Sequence, residues 1–235
     1  MKTEQRIKET FNLWDFDKCD DRFGISGYPG RIPGQIFMNL LWLYTEPRDW
    51  TLAVFGGSGT EIDVAKYMNR KCIAYDIQPS RDDILYQDVT NGIPPNPEGA
   101  KYQLIFLDPP YGSQKQYTDL ETDFSNMSND EYLRQMQSLI LLCLEQLDVN
   151  GILAIINGIT CIKINNRIFD IPFEIAKICD EINSIRLIER IIVPFKNVSS
   201  HTGLWISRAR DNKFLLRAFR DILIYKFWIS LNGVS

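Results

Sequence analysis

From about residue 35 the chain alternates short apolar runs with amphipathic stretches, and no other feature narrows its possible folds as much. "WTLAVF" (50–55), "KCIAYDI" (71–77), "ILYQDV" (84–89), "YQLIFL" (102–107), "ILAIIN" (152–157), "IRLIERIIVPF" (185–195) and "DILIYKFW" (221–228) predict strands. "QIFMNLLWLYT", "EIDVAKYMN", "SNDEYLRQMQSLILLCLEQLDVNG", "IPFEIAKICDEI" and "GLWISRARDNKFLLRAF" predict helices. The first helix should end near Pro47, and Ser128 with Glu131 forms a capping-box pattern at the start of the third. Strands alternating with helices imply an α/β fold: a mostly parallel seven-stranded sheet with helices on both faces. Ligands on such sheets bind outside the carboxyl ends of the strands.

The totals exclude several classes. A chain of 235 residues can bury one sizeable α/β core. No apolar run approaches a membrane span, and the polar start "MKTEQRIKETFNLWDFDKCD" has no signal-peptide core, so a cytoplasmic protein with no membrane partner is expected. The five cysteines form no C-x-x-C pair, which argues against zinc or a disulfide framework; Cys72 and Cys143 lie in apolar runs as core residues. His201 is the only histidine, so chemistry built on a histidine pair or triad is poorly supported, and no metal site is expected. A net charge of −4 means that any contact with nucleic-acid phosphates must be local.

"FGGSGT", Phe55, Gly56, Gly57, Ser58, Gly59 and Thr60, joins the first strand to its helix. Glycines there permit a tight turn and close approach of a ligand to the backbone. An unliganded turn would look the same, but Asp76 ends the next strand about twenty residues on, where a carboxylate can accept from two ribose hydroxyls. Together they favour an adenosine-containing cofactor. Ile62 stands where a dinucleotide fingerprint would need its third glycine, which disfavours a nicotinamide cofactor. Asp88 follows the third strand, either to accept from an adenine amino group or as a solvated turn carboxylate. Ile77 and Val89, the next residues in each case, complete the candidate cofactor set.

The fourth strand runs into Asp108, Pro109, Pro110 and Tyr111. Each proline fixes its own φ and lacks an N–H, and each extends the residue before it. The result is a stiff turn rich in acceptors: the Asp108 carboxylate and the Pro109 carbonyl, with the Tyr111 ring beside them. That set suits an exocyclic amine on a planar ring, whose lone pair is otherwise delocalised. Two acceptors can draw the nitrogen towards tetrahedral geometry, and Tyr111 can stack on a flipped base.

These residues resemble the S-adenosylmethionine-dependent DNA amino-methyltransferases, which modify adenine N6 or cytosine N4. In that family F-x-G-x-G holds the cofactor and D/N/S-P-P-Y/F/W holds the target amine. The resemblance spans roughly residues 24–227 and implies a Rossmann-like class I methyltransferase fold. "YPGRIPGQIFMNLLWLYTEP" resembles the segment that closes over the methionine end of the cofactor, which by resemblance puts Arg31 and Pro33 near cofactor or target. The implied layout is an N-terminal extension, 1–30, and one catalytic domain, 31–235, with no separate target-recognition domain. The implied reaction is direct in-line methyl transfer, without a metal, to a base flipped into a cleft framed by Gly57, Asp76 and Asp108. Asp at position 108 leans towards adenine.

The chain departs from the family at one point: Ala53-Val54 stands where members carry Asp-Pro before the phenylalanine. Either another acid substitutes or cofactor binding is weakened. Site selection would fall to residues 1–30, to the loop "YGSQKQYTDLETDFSNMS", to a homodimer mate or to a specificity subunit. Arg208, Arg210, Lys213, Arg217, Arg220 and Lys226 either face DNA phosphates or form a solvated helix face. Cytosine N4 or RNA as substrate, and a non-catalytic subunit that keeps the fold to bind DNA or a partner, are the alternatives.

Overall fold

The structure is a computed structural model that describes residues 11–228 except 17, 111–117, 159, 165–166, 195–202, 214 and 217. Seven strands form one sheet: β1 (Trp50–Val54), β2 (Lys71–Asp76), β3 (Leu85–Tyr86), β4 (Tyr102–Leu107), β5 (Leu147–Gly158), β8 (Ile185–Pro194) and β9 (Phe219–Phe227). Their order is β3-β2-β1-β4-β5-β9-β8, and β9 alone runs antiparallel to its neighbours. The chain therefore reverses its direction of building at β1 and β4, whose carboxyl ends lie side by side at the switch point where such sheets bind ligands.

The helices form because their apolar residues recur at helical spacing and their ends are capped. α1 (Gly34–Tyr44) buries Ile36, Phe37, Leu40 and Leu41, and stops as the Thr45 N–H and hydroxyl both turn back to the Leu41 carbonyl. α2 (Thr60–Tyr67) follows the glycine turn. α3 (Asn129–Gln146) starts at Ser128, whose Oγ accepts from the Glu131 N–H at 3.3 Å, as the capping pattern predicts. α4 (Ile171–Asp180) is capped by Asp170, whose carboxylate accepts from the Phe173 N–H at 3.2 Å.

Alternation along the strands divides the core. Ile105, Leu107, Ile155 and Leu223 face α3 and α4, while Leu104, Phe106, Ile156 and Ile222 face α1 and α2. Trp14 and Phe23 join the second layer, so the stretch before Arg31 packs into the same body. Residues 12–14 lie along the outer edge of β8: the Trp14 N–H donates to the Ile192 carbonyl, and the Ile192 N–H to the Asn12 carbonyl, each at 2.8 Å. Among the described residues no helix is long and apolar enough to cross a membrane.

Three expectations are corrected. The last helix, α5 (Gly203–Asp211), is about half the predicted length, because after Asn212 the backbone of Lys213 turns left-handed at φ 53. Two further short strands, β6 (Thr160–Ile164) and β7 (Arg167–Phe169), pair antiparallel where no strand was expected. The third strand holds two residues instead of six, because a short 3-10 turn, Val89–Asn91, takes over with Asp88 as its cap.

Candidate active site

The glycine turn is held from three sides. The Gly56 N–H donates to the Tyr75 carbonyl at 2.8 Å, hanging the turn on β2. The Ile25 N–H donates to the Ser58 carbonyl at 3.0 Å, laying residues 24–28 along it. Asp76 caps it: one carboxylate oxygen accepts from the Gly57 N–H and the other from the Gln78 N–H, both at 2.8 Å. Burial pushes the Asp76 carboxyl up, the two N–H donors pull it down, and the nearby Asp123 charge leaves the net shift upward. Ser58 and Thr60 are buried, with their hydroxyls 2.8 Å apart.

Gly59 must be glycine. It caps α2 at φ 77, and a Cβ there would stand 2.6 Å from Arg81 Nη1. Arg81 lies over the turn because Asp63 of α2 and Asp83 of the following loop both ion-pair with it. Asp63 also accepts from the Gly24 N–H at 2.7 Å. Burial opposes its charge, but Arg81 and Gly24 hold its carboxyl below the usual range. Phe55 is strained at φ 68, and its ring packs edge-on against Phe124, 5.2 Å between centroids. A non-glycine residue in this region is uncommon and gathers at ligand sites.

Asp108 follows β4 directly, and its N–H reaches the Val54 carbonyl at 3.4 Å. The Asp-Pro-Pro turn therefore stands beside the glycine turn at the switch point. Tyr111 and the loop to Tyr117 lie outside the described residues, as does Arg217. Asp88 caps the turn after β3: its Oδ1 accepts from the Thr90 N–H at 3.0 Å and the Thr90 hydroxyl at 2.7 Å. Val89 is buried next to it, and Ile77 is half-buried beyond Asp76. Pro33 caps α1, its carbonyl accepting from the Ile36 N–H at 3.0 Å. Arg31 donates from Nη2 to the Asp20 carbonyl at 3.2 Å and to Asp21 at 3.3 Å, while its Nη1 is buried with no hydrogen-bond partner among the described residues.

Two groups near the site escaped the sequence reading. Glu61, in the first turn of α2, is only 5% exposed. Burial, and then the like charges of Asp108 and Asp63, push its carboxyl up to about 8. Behind the Asp-Pro-Pro turn the Tyr132 hydroxyl donates to Asn157 Oδ1 at 3.3 Å, and Asp221, opposite Asn157 in the β5–β9 pair, accepts from Arg190 Nε at 2.7 Å. Asn157 and Asp221 are fully buried. Asp221 thus links β9 to β8 through Arg190.

Residues 1–87 match a family model described as DNA methylase, of the N6 and N4 type. No curated protein matches the chain. Solved structures share its architecture. TrmN from Thermus thermophilus superposes with a TM-score of 0.52 at 12% identity, over 83% of this chain and 49% of TrmN. This chain thus spans about half the length of that relative. Precorrin-6y C5,15-methyltransferase from Geobacter metallireducens GS-15 superposes at 0.50 with 10% identity, over 91% and 97% of the two chains. The fold is the Rossmann-like methyltransferase fold. The N-methyltransferase NodS from Bradyrhizobium japonicum WM9, solved with S-adenosyl-L-homocysteine, superposes at 0.50 with 9% identity, over 83% of this chain and 85% of NodS.

Proposed function

We propose that the chain binds S-adenosylmethionine and transfers its methyl group to the exocyclic amine of a base in DNA, most naturally adenine N6. The observation that carries this reading is the adjacency of two turns. The glycine turn after β1 and the Asp-Pro-Pro turn after β4 meet at the switch point, joined by the Asp108 to Val54 hydrogen bond. The match of residues 1–87 to a DNA methylase model supports DNA as the substrate.

The chain's residues suit that cofactor. A carboxylate oxygen can accept two hydrogen bonds, so Asp76 can hold the turn and a ribose diol together. The buried Arg31 Nη1 is a donor suited to a carboxylate such as the cofactor carries. When bound, S-adenosylmethionine supplies the electrophilic methyl group. Asp108 and the Pro109 carbonyl then accept the two N–H bonds of the amine. They would turn its lone pair out of the ring plane and hold it in line with the methyl group. As the new C–N bond forms, the C–S bond breaks to leave S-adenosylhomocysteine, and the methylated amine passes one proton through Asp108 to water. The proline pair keeps both acceptors fixed, so little reorganisation accompanies the reaction. Tyr111 would stack on the base, DNA is the expected partner, and a homodimer mate or specificity subunit would choose the site.

The test is calorimetric titration with S-adenosylmethionine, followed by transfer of labelled methyl groups to DNA and RNA oligonucleotides. The expected results are binding by the purified chain and methylation of DNA in preference to RNA. Asp108→Ala should lower the rate about 10²–10³-fold while leaving cofactor affinity within about twofold, because Asp108 acts on the amine. Methylation of RNA alone would overturn the DNA assignment, and failure to bind would overturn the enzyme.

A further inference from the structure

Glu61 is a buried acid in the first turn of α2 whose carboxylate accepts from its own backbone N–H and ion-pairs with no described residue. It is 5% exposed and sits two residues after Gly59, in the first turn of a helix that packs over β1 and β2. The sheet face beneath that helix carries the small residues Ala53 and Ala74, which cluster with Ile84 and with the half-buried Ile62 and Cys72. No cation pairs with Glu61 among the described residues. Arg81, the cation on this side of the turn, is already shared by Asp63 and Asp83. An ionised carboxylate so placed is costly unless something positive arrives beside it.

We propose that Glu61 receives the ammonium group of the amino-acid end of S-adenosylmethionine, giving up its own proton as the cofactor binds. The proposal rests on the cofactor reading above. It follows from position: Glu61 is the second residue of α2, directly after the glycine turn, and near enough to Asp108 for that charge to bear on it, so an adenosine held through Asp76 would extend its amino-acid chain between the two. The ammonium is the hydrogen-bonding cation of the cofactor, and a desolvated carboxylate is its natural counterpart. The groups around Glu61 are Asp63 on its own helix, Asp108 at the end of β4, Arg81 from the loop after β2, and Cys72 on β2. Burial first, and then the acids among them, disfavour ionisation, which keeps Glu61 protonated in the ligand-free chain at neutral pH. Binding then exchanges that proton for the ammonium. With Arg31 on a carboxylate and Glu61 on an ammonium, both charged groups of the amino-acid end would be met.

Titration of the intact chain with S-adenosylmethionine at pH 6.5, in two buffers of different ionisation heat, counts the protons released. The expected result is close to one per cofactor bound, with affinity rising about tenfold per pH unit between pH 6 and 7. Glu61→Gln, checked for a native circular-dichroism spectrum and cooperative unfolding, should abolish the release. It should also weaken S-adenosylmethionine and S-adenosylhomocysteine alike, by about tenfold or more, and leave 5′-methylthioadenosine, which lacks the amino-acid end, unchanged. Wild-type binding without proton release, or release that persists in Glu61→Gln, would overturn the proposal and leave the enzyme reading standing. Weakening of S-adenosylmethionine alone would overturn it too, since that would assign Glu61 to the sulfonium. No binding by the wild type would overturn both readings.

Discussion

The turn after β1 and the seam between β5 and β9 each bury a carboxylate, and they treat it in opposite ways. At the seam Asp221 is fully buried and meets Arg190 at 2.7 Å, with the guanidinium reaching in from a side chain that is 55% exposed. Beside it Asn157 receives the Tyr132 hydroxyl. At the turn Glu61 is almost as deeply buried but forms no ion pair among the described residues, and the like charges of Asp108 and Asp63 outweigh that of Arg81. The seam spends its acid on fixing the register of β8, β9 and β5. The turn keeps its acid neutral, an arrangement that serves a site better than a scaffold. Burial alone therefore does not tell a structural acid from a functional one; the partner does.

The contrast can be broken most decisively at Arg190. Arg190→Ala would strand the Asp221 carboxylate inside the protein, and unfolding in denaturant should show a loss of about 3–5 kcal/mol. A loss below about 1 kcal/mol would mean that the seam tolerates an unpaired acid as the turn does. The next effect concerns Glu61 and pH. Its folded value lies near 8 against an ordinary 4.5, so between those values the unfolded chain loses this proton and the folded chain keeps it. Stability contributed by the neutral acid is whole below about 4.5 and declines as pH rises towards 8. Between pH 5 and 7 the decline should be on the order of 2–3 kcal/mol, and Glu61→Gln should flatten that part of the profile. An unchanged slope in the variant would show that Glu61 ionises normally in the fold. Tyr132→Phe sharpens the comparison on a smaller scale. It removes one hydrogen bond from Asn157 and should cost about 1–2 kcal/mol in thermal or denaturant unfolding, without altering the pH slope.

Much of the turn side was legible in the sequence because its signals are local. The glycine run, Asp76 at the end of β2 and Asp108 at the end of β4 each stand where a strand must stop, and parallel topology brings those stops together. Ser128 announced its helix for the same reason. Glu61 was not legible, since a glutamate in the first turn of a helix ordinarily faces solvent; only the packing of α2 over two alanines reveals its burial. The seam was hidden by distance: Asp221 and Arg190 are 31 residues apart, Tyr132 and Asn157 are 25 apart, and no period in the sequence joins them. The pair of β6 and β7 left a fainter trace, β-branched residues on either side of Asn165 and Asn166, which its short strands did not raise to a prediction. The cap at Asp88 overrode a strand pattern because a side-chain acceptor offers the backbone an alternative to the sheet.

The contact of residues 12–14 with β8 has a consequence for synthesis. Asn12 donates to the Arg190 carbonyl across a separation of 178 residues, and Trp14 lies in the core beside it. Residues 12–14 therefore have no seat until β8 exists, and β8 enters the sheet through β9. Such long-range closure is slow, because loop entropy is lost before the contact repays it. During synthesis Trp14 stays exposed until β8 and β9 have emerged, and through that interval dependence on folding assistance would be greatest.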